Sequence, residues 1–293
     1  MTAPDLHKLV DREIADIRHV YGAKDCILYA LGLGLGSQAS GPDLRYVYEE
    51  NLRAVPTLLA VLASSSDWMR DSGTGIRWEK LVALSHDICL SAPLPTSGSV
   101  LGRTTVDSVH DRGAERGAII NWRRAVIDEV SGKELGTITA QALARANGGF
   151  GGEPPVRRSH PGFPPRDADY LIEWTTQPDQ ALLYRLSGDF NPLHADPEVA
   201  VEAGLERPIL HGLCNLGIAA IAAGRDWPGG LPLLRSIGAR YTDVFYPGDT
   251  LKTEVWHENG VAVFRCTSGR TRRTVLDDGV ATFFSATNAT EET

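Results

Sequence analysis

The residues of this chain whose types and spacing suit acid/base chemistry lie between Tyr184 and Gly212, in YRLSGDFNPLHADPEVAVEAGLERPILHG. Asp189, Asn191 and His194 fall on one short stretch, and His211 and Gly212 close the segment. A carboxylate and an imidazole on a bent segment can converge on one small volume, hold the same water and exchange its protons. With unperturbed values near 3.9 and 6.5, the pair at neutral pH is a carboxylate and a largely neutral imidazole. Which of the two takes the proton is left open by the sequence. The bland alternative is that Asp189 caps a turn and His194 packs at the surface, as both residue types often do in loops.

The elements that must position these groups can be read around them. Gly188 and the Asn191-Pro192 pair interrupt any regular period, so Asp189 to His194 is expected to be a loop. Asp196 has the chemistry of an N-cap, and Pro197 suits a first helical turn. Past Pro208 an apolar helix is predicted from about His211 to Ala223, followed by strands at about Leu233–Phe245, Thr250–His257, Val261–Ser268 and Arg272–Phe284. Turns at YPGD, HENG and DDG fit hairpins.

The first half has the same order. A charged amphipathic helix is predicted over MTAPDLHKLVDREIADIRHVYG, and a short buried helix over VPTLLAVLA from Val55. Strands follow at Leu81–Leu94, Val100–Val109, Arg116–Glu129 and Glu134–Arg145. Gly32, Gly34 and Gly36 follow an apolar run, but their spacing and the absence of a later strand–helix alternation set aside a dinucleotide-binding turn. Residues 146–168, rich in Gly, Pro and Arg, read as a linker. The organisation is therefore an N-terminal repeat over 1–150, a linker over 151–168 and a C-terminal repeat over 169–293.

Residue matches support the duplication. ILYALGLG lies over LLYRLSGD, with Tyr29 opposite Tyr184, and VPTLLA lies over RPILHG. In the first of these alignments Gly34, Gly36 and Ala39 stand opposite Asp189, Asn191 and His194, and in the second Leu59 and Ala60 stand opposite His211 and Gly212. Structural caps would be needed in both copies. Their loss from one copy points to chemistry kept in the second repeat and a first repeat remodelled to hold the rest of a substrate.

Composition narrows the classes. The 293 residues are 42% hydrophobic and 23% charged, which fits a globular protein of one large or two ordinary domains. A formal net charge of −8 offers no basic footprint for nucleic acid. No apolar run reaches the roughly 18 residues of a membrane span. The ending NATEET is not a peroxisomal Ser-Lys-Leu address, and the expected location is cytoplasmic. Cys26, Cys89, Cys214 and Cys266 are scattered and read as isolated buried thiols, and the eight histidines show no metal-ligand motif, so no metal is expected.

YRLSGDFNPLHADP, RPILHGLCNLG and VFYPGDTLKTEVW, in this order, resemble the (R)-specific enoyl-CoA hydratase 2 family, related to the MaoC-like dehydratases, in its double hot-dog form. ILYALGLG, YVYEENL, VPT and NGGFGG resemble its N-terminal half, so the likeness spans nearly the whole chain. It implies an α+β double hot-dog fold, each repeat an antiparallel sheet around a long helix. It also implies reversible syn hydration of a trans-2-enoyl-CoA to a (3R)-3-hydroxyacyl-CoA, in fatty-acid or steroid side-chain β-oxidation, without cofactor or metal. By match to the motif, Asp189 and His194 are the acid/base pair, Asn191 orients, and Gly212 gives a backbone N–H to the thioester oxygen. Tyr184, His211 and Glu49 are placed on the substrate side, His211 also reading as a packing or loop-fixing residue and Glu49 as structural. VALSHDICLSAPLP and DRGAERG depart from the family pattern and bear on the CoA and acyl contacts of the first half. Arg157, Arg158 and Arg166 read as solvated linker charge, with CoA phosphates as the alternative partner. Two rivals stand beside this reading: dehydration of a 3-hydroxyacyl group on acyl carrier protein, and a CoA-thioester-binding protein without turnover. Pairing of two chains as a homodimer stays open.

Overall fold

The computed structural model describes residues 5–37, 41–155 and 160–285. Among these residues ten strands form one antiparallel sheet: β1 Ile17–Tyr21, β2 Leu81–Leu90, β3 Gly98–Asp111, β4 Ala118–Asp128, β5 Glu134–Ala144, β6 Tyr170–Thr175, β7 Leu234–Tyr241, β8 Thr250–Glu258, β9 Val261–Ser268 and β10 Thr274–Phe283. Their order is β1-β3-β4-β5-β2-β7-β10-β9-β8-β6. Read outward from the β2–β7 junction, the two halves follow the same path, which is the duplication expressed as topology. At that junction His86 lies opposite Ala239 and Ile88 opposite Ile237, so backbone hydrogen bonds run from one repeat into the other.

Among the described residues the α-helical pieces are α1 Ala23–Gly32, α2 Leu44–Val47, α3 Asp67–Arg70, α4 Gln180–Tyr184, α5 Pro197–Glu202 and α6 Gly212–Gly224. Helix α6 is the second repeat's long helix. Nearly every side chain on it from Cys214 to Gly224 is buried, as a helix apolar on all sides requires when a sheet wraps it. The matching element of the first repeat has shrunk. VPTLLAVLA forms only a short 3-10 helix over Pro56–Ala60, and Ala63 adopts a left-handed φ of 47° before the run Ser64-Ser65-Ser66. The expected buried helix is buried but not α-helical, and the volume it vacates is available to a cleft.

Three other expectations are corrected. The opening helix is absent from the described part of that stretch: Leu6 and Leu9 sit in a short turn against Val106, Val109 and Ile120, and β1 pairs with β3. Spacing of Leu6, Leu9, Val10, Ile14 and Ile17 suits a helix, but the sheet edge supplies stronger partners for the backbone. YPGD links β7 to β8, which do not pair, and DDG lies inside β10, where Asp278 has φ 53° and the register shifts. HENG does close the β8–β9 hairpin, with Asn259 and Gly260 both at positive φ. Cys89 is exposed rather than buried; Cys26, Cys214 and Cys266 are buried, and all four are free.

One core spans both repeats. Tyr29 of α1 donates to Thr57 Oγ1 at 3.0 Å and its ring lies 5.7 Å from that of Tyr184, its counterpart in the repeat. Gln180 Nε2 crosses to the Gly32 carbonyl at 2.6 Å. Gly217 of α6 lets Leu33 approach, since a Cβ there would stand 2.6 Å from Leu33 Cδ2.

Candidate active site

Asp189 and His194 are positioned by side chains that complete the turns around them. Asp189 Oδ1 accepts from the Asn191 amide at 3.2 Å, and Asn191 Oδ1 accepts from the Leu193 amide at 3.1 Å, starting the 3-10 turn Pro192–His194. Asp196 then accepts from the Glu198 amide at 2.9 Å with Pro197 at the first position of α5. The loop is thus held by its own polar residues, and Asn191 acts on the backbone that carries both candidate groups.

The return strand of the segment fixes the imidazoles. His194 Nδ1 lies 2.8 Å from the Ile209 carbonyl oxygen, which can only accept. Nδ1 therefore carries the proton and Nε2 presents a lone pair. His211 Nε2 donates to the backbone oxygen of Asp189 at 3.2 Å, and the two imidazoles stack with centroids 3.6 Å apart. Tyr184 packs on the far side of His211, ring centroids 4.9 Å apart. Burial lowers the pKa of His194 against the opposing pull of the Asp189 carboxylate. Burial, with His194 beside it, lowers that of His211. Both rings are neutral near pH 7.

Asp189, Asn191, His194 and Gly212 line one cleft of about 730 Å³, within the range of small-molecule sites. Gly212 is the first residue of α6, whose N-terminus has no side-chain cap, so an unclaimed first-turn N–H and the helix dipole meet the cleft. A Cβ on Gly212 would stand 2.9 Å from Tyr241 Cε1, and Tyr241 is itself tied to His86 Nδ1 at 3.0 Å. Glycine is what lets the helix start and the tyrosine share this wall.

The three residues assigned to the substrate side do not line the cleft. Tyr184 and His211 are 1% exposed and form the layer behind Asp189 and His194. Glu49 is exposed on the bend after α2. Arg166 is engaged by Asp169 at 2.6 Å and Glu258 at 3.7 Å, while Arg157 and Arg158 lie outside the described residues. His86, Arg124, Asn215 and Tyr241 line the cleft without having been singled out in the sequence. The signal for His86 was its place in VALSHDICL, among the residues that depart from the family pattern.

Asp189, His194 and His211 also offer ligand atoms within 4.8 Å of one another, a grouping that linear spacing hid. The residues fit a metal poorly. Two stacked rings 26° from parallel direct their in-plane lone pairs side by side, not at a common point.

The chain matches the MFE-2 hydratase 2 N-terminal domain over residues 19–146 and the MaoC like domain over residues 163–278. It is 38% identical to 3-hydroxyacyl-thioester dehydratase Y of Mycobacterium tuberculosis, covering 89% of this chain and 92% of that protein. It is 32% identical to peroxisomal enoyl-CoA hydratase 2 of Arabidopsis thaliana, covering 92% of each. Among solved structures, a MaoC-like dehydratase from Phytophthora capsici superposes with a TM-score of 0.83 at 27% identity, covering 96% of this chain and 99% of that one. A Mycobacterium tuberculosis protein described as a double hotdog fold aligns with a TM-score of 0.56 at 15% identity over 95% of this chain and 97% of its own, a likeness of fold alone. The chain belongs to the MaoC-like dehydratase and hydratase 2 family, in double hot-dog form. Enzymes of that family are hydro-lyases, adding water to or removing it from acyl thioesters.

Proposed function

We propose that the cleft hydrates a trans-2-enoyl-CoA to the (3R)-3-hydroxyacyl-CoA, reversibly, as a step of β-oxidation of a fatty-acid or steroid side chain. The observation that carries this reading is the meeting of Asp189 and the free Nε2 of His194 with the uncapped start of α6 in one cleft. One water is held by the carboxylate and by Nε2. As its oxygen bonds to C3, His194 Nε2 accepts a proton, and negative charge moves to the thioester oxygen. The Gly212 N–H and the helix dipole stabilise that charge, an interaction whose loss typically costs about 100- to 1,000-fold in rate. The imidazolium, stabilised by Asp189, returns its proton to C2 on the same face, so no proton is lost or gained overall. His211 holds the Asp189 backbone and stacks on His194; it serves as a positioning residue.

The same geometry runs the dehydration, and the thioester dehydratase relative supports that direction as the second reading. An acyl carrier protein would favour a basic docking face, which a net charge of −8 does not favour. We read the reaction as metal-free and cytosolic: the histidine stacking disfavours chelation, and the four free cysteines suit a reducing compartment. Among the described residues no helix is long and apolar enough to cross a membrane. The test is loss of the conjugated-thioester absorbance on mixing with trans-2-enoyl-CoAs, with chiral analysis of the product. Formation of the (3R) alcohol is the expected outcome; an (S) product or no hydration of any enoyl-CoA overturns the reading.

A further inference from the structure

The wall of the cleft contributed by the first repeat is more polar than a plain alkyl chain requires. Arg124 on β4 is 2% exposed, yet lines the cleft. Its Nη1 donates to Ser64 Oγ at 2.8 Å and its Nη2 to the Ala60 carbonyl, which caps the shortened 3-10 helix. Those contacts account for two of its donors. Nε has no partner, the guanidinium carbon stands 6.0 Å from the Trp122 ring centroid, and among the described residues no carboxylate pairs with it. A buried unpaired cation with an unsatisfied donor is costly unless something completes it. Asn215, on α6 and also lining the cleft, is 2% exposed with its Oδ1 unpartnered.

Asn215 lies three residues past Gly212, about 4.5 Å along the helix axis. Gly212 and Asn215 thus line the cleft from the first turn of α6, so the polar wall adjoins the thioester end of the cleft. His86, on the same inner face, is influenced by both Arg124 and Asp189, which links this wall electrostatically to the reacting end.

We infer that this cleft selects enoyl thioesters whose acyl arm carries an oxygen function, a carboxylate above all, that Arg124 and Asn215 engage. This rests on the hydratase reading but concerns the acyl group alone. An ionised carboxylate supplies the counter-charge that Arg124 lacks and accepts from its Nε–H. A hydroxyl can donate to Asn215 Oδ1. A terminal methyl does neither.

The experiment compares saturated acyl-CoAs of six to eight carbons ending in methyl, hydroxyl or carboxylate, by calorimetric affinity, with kcat/KM for the matching trans-2-enoyl-CoAs. The carboxylate form is expected to bind at least about 10-fold more tightly than the methyl form. Arg124→Met should remove that ratio and Arg124→Lys should keep part of it. Equal affinities for methyl and carboxylate in the unaltered protein, or preference for methyl, overturn the inference, and this comparison needs no variant to fold. If the affinity ratio holds but no enoyl-CoA is hydrated, the inference stands and the hydratase reading falls.

Discussion

At the scale of single residues, the account depends on which atoms of the imidazoles are free. The Ile209 carbonyl commits His194 Nδ1 as a donor, so Nε2 is the basic atom facing the cleft. Because burial holds His194 below its ordinary pKa, kcat/KM should stay flat as pH falls to about 6.5 and decline only below it. A pH profile with an acid limb above 6.5 would contradict this. Buried His194 and His211 and part-buried His86 also bear on stability. His86 is lowered to about 4 by burial and by Arg124, and His194 and His211 are lowered too. The unfolded chain then binds more protons than the folded one between about pH 6.5 and 4, and stability must fall as pH drops through that window. Thermal melts should show the midpoint falling over that range, and His86→Gln should flatten the dependence. The Asp189 and His194 pair was legible in the sequence because its members share one short loop and its counterpart positions are Gly34 and Ala39. The roles of His86 and Arg124 were not, because each belongs to a strand of the other repeat and reaches the cleft only through the sheet. Tyr184 illustrates the converse: its match to Tyr29 was visible, but the match reports a core contact, not contact with the cleft.

At the scale of elements, the long helices tell the two repeats apart. Helix α6 reads from its unbroken apolar run and was expected within a residue of its observed ends. The first repeat's helix is harder to read, since VPTLLAVLA has the composition of a helix yet runs as a 3-10 turn over Pro56–Ala60 and ends before Ala63 and the serines that follow. Edge strand β1 lies inside the stretch expected to be the opening helix and β6 has no expected strand, because both are short and Val20 and Leu171 point outward, blurring a two-residue alternation. The shortened helix must be held close to the sheet, and Gly136 of β5 makes that approach possible: a Cβ there would stand 2.3 Å from the Cys89 carbonyl oxygen and 2.6 Å from Leu59 Cδ2. Gly136→Ala should destabilise by roughly 1–3 kcal/mol, read from the urea midpoint. An unchanged midpoint would mean that this part of the sheet yields more readily than its backbone pairing implies. Gly212→Ala tests the start of α6 differently. Overlap with Tyr241 should lower kcat by about 100-fold or more while the melting temperature changes little.

At the scale of the whole molecule, the repeats share a sheet, a core and a cleft. Pairing of β2 with β7, the Gln180 bond to Gly32 and the seating of Leu33 on Gly217 all cross from one half to the other. A C-terminal half expressed alone would bare the edge of β7 and one side of α6, so it should aggregate or self-pair, as sedimentation would reveal. Duplication was legible from matched residues, but the continuity of the sheet across the junction was not, since no local pattern encodes which strands of two similar units meet. The reading as a metal-free hydro-lyase makes a simple demand on the intact protein: exhaustive dialysis against a chelator should leave turnover unchanged. The central claim, that Asp189 and His194 act together on one water, is tested most directly by single-turnover hydration of a trans-2-enoyl-CoA with Asp189→Asn and His194→Ala beside the unaltered protein. We predict a loss of about 100- to 10,000-fold in each variant with native melting behaviour, and no further large loss when the two are combined. Hydration at the original rate in either folded variant would contradict the account.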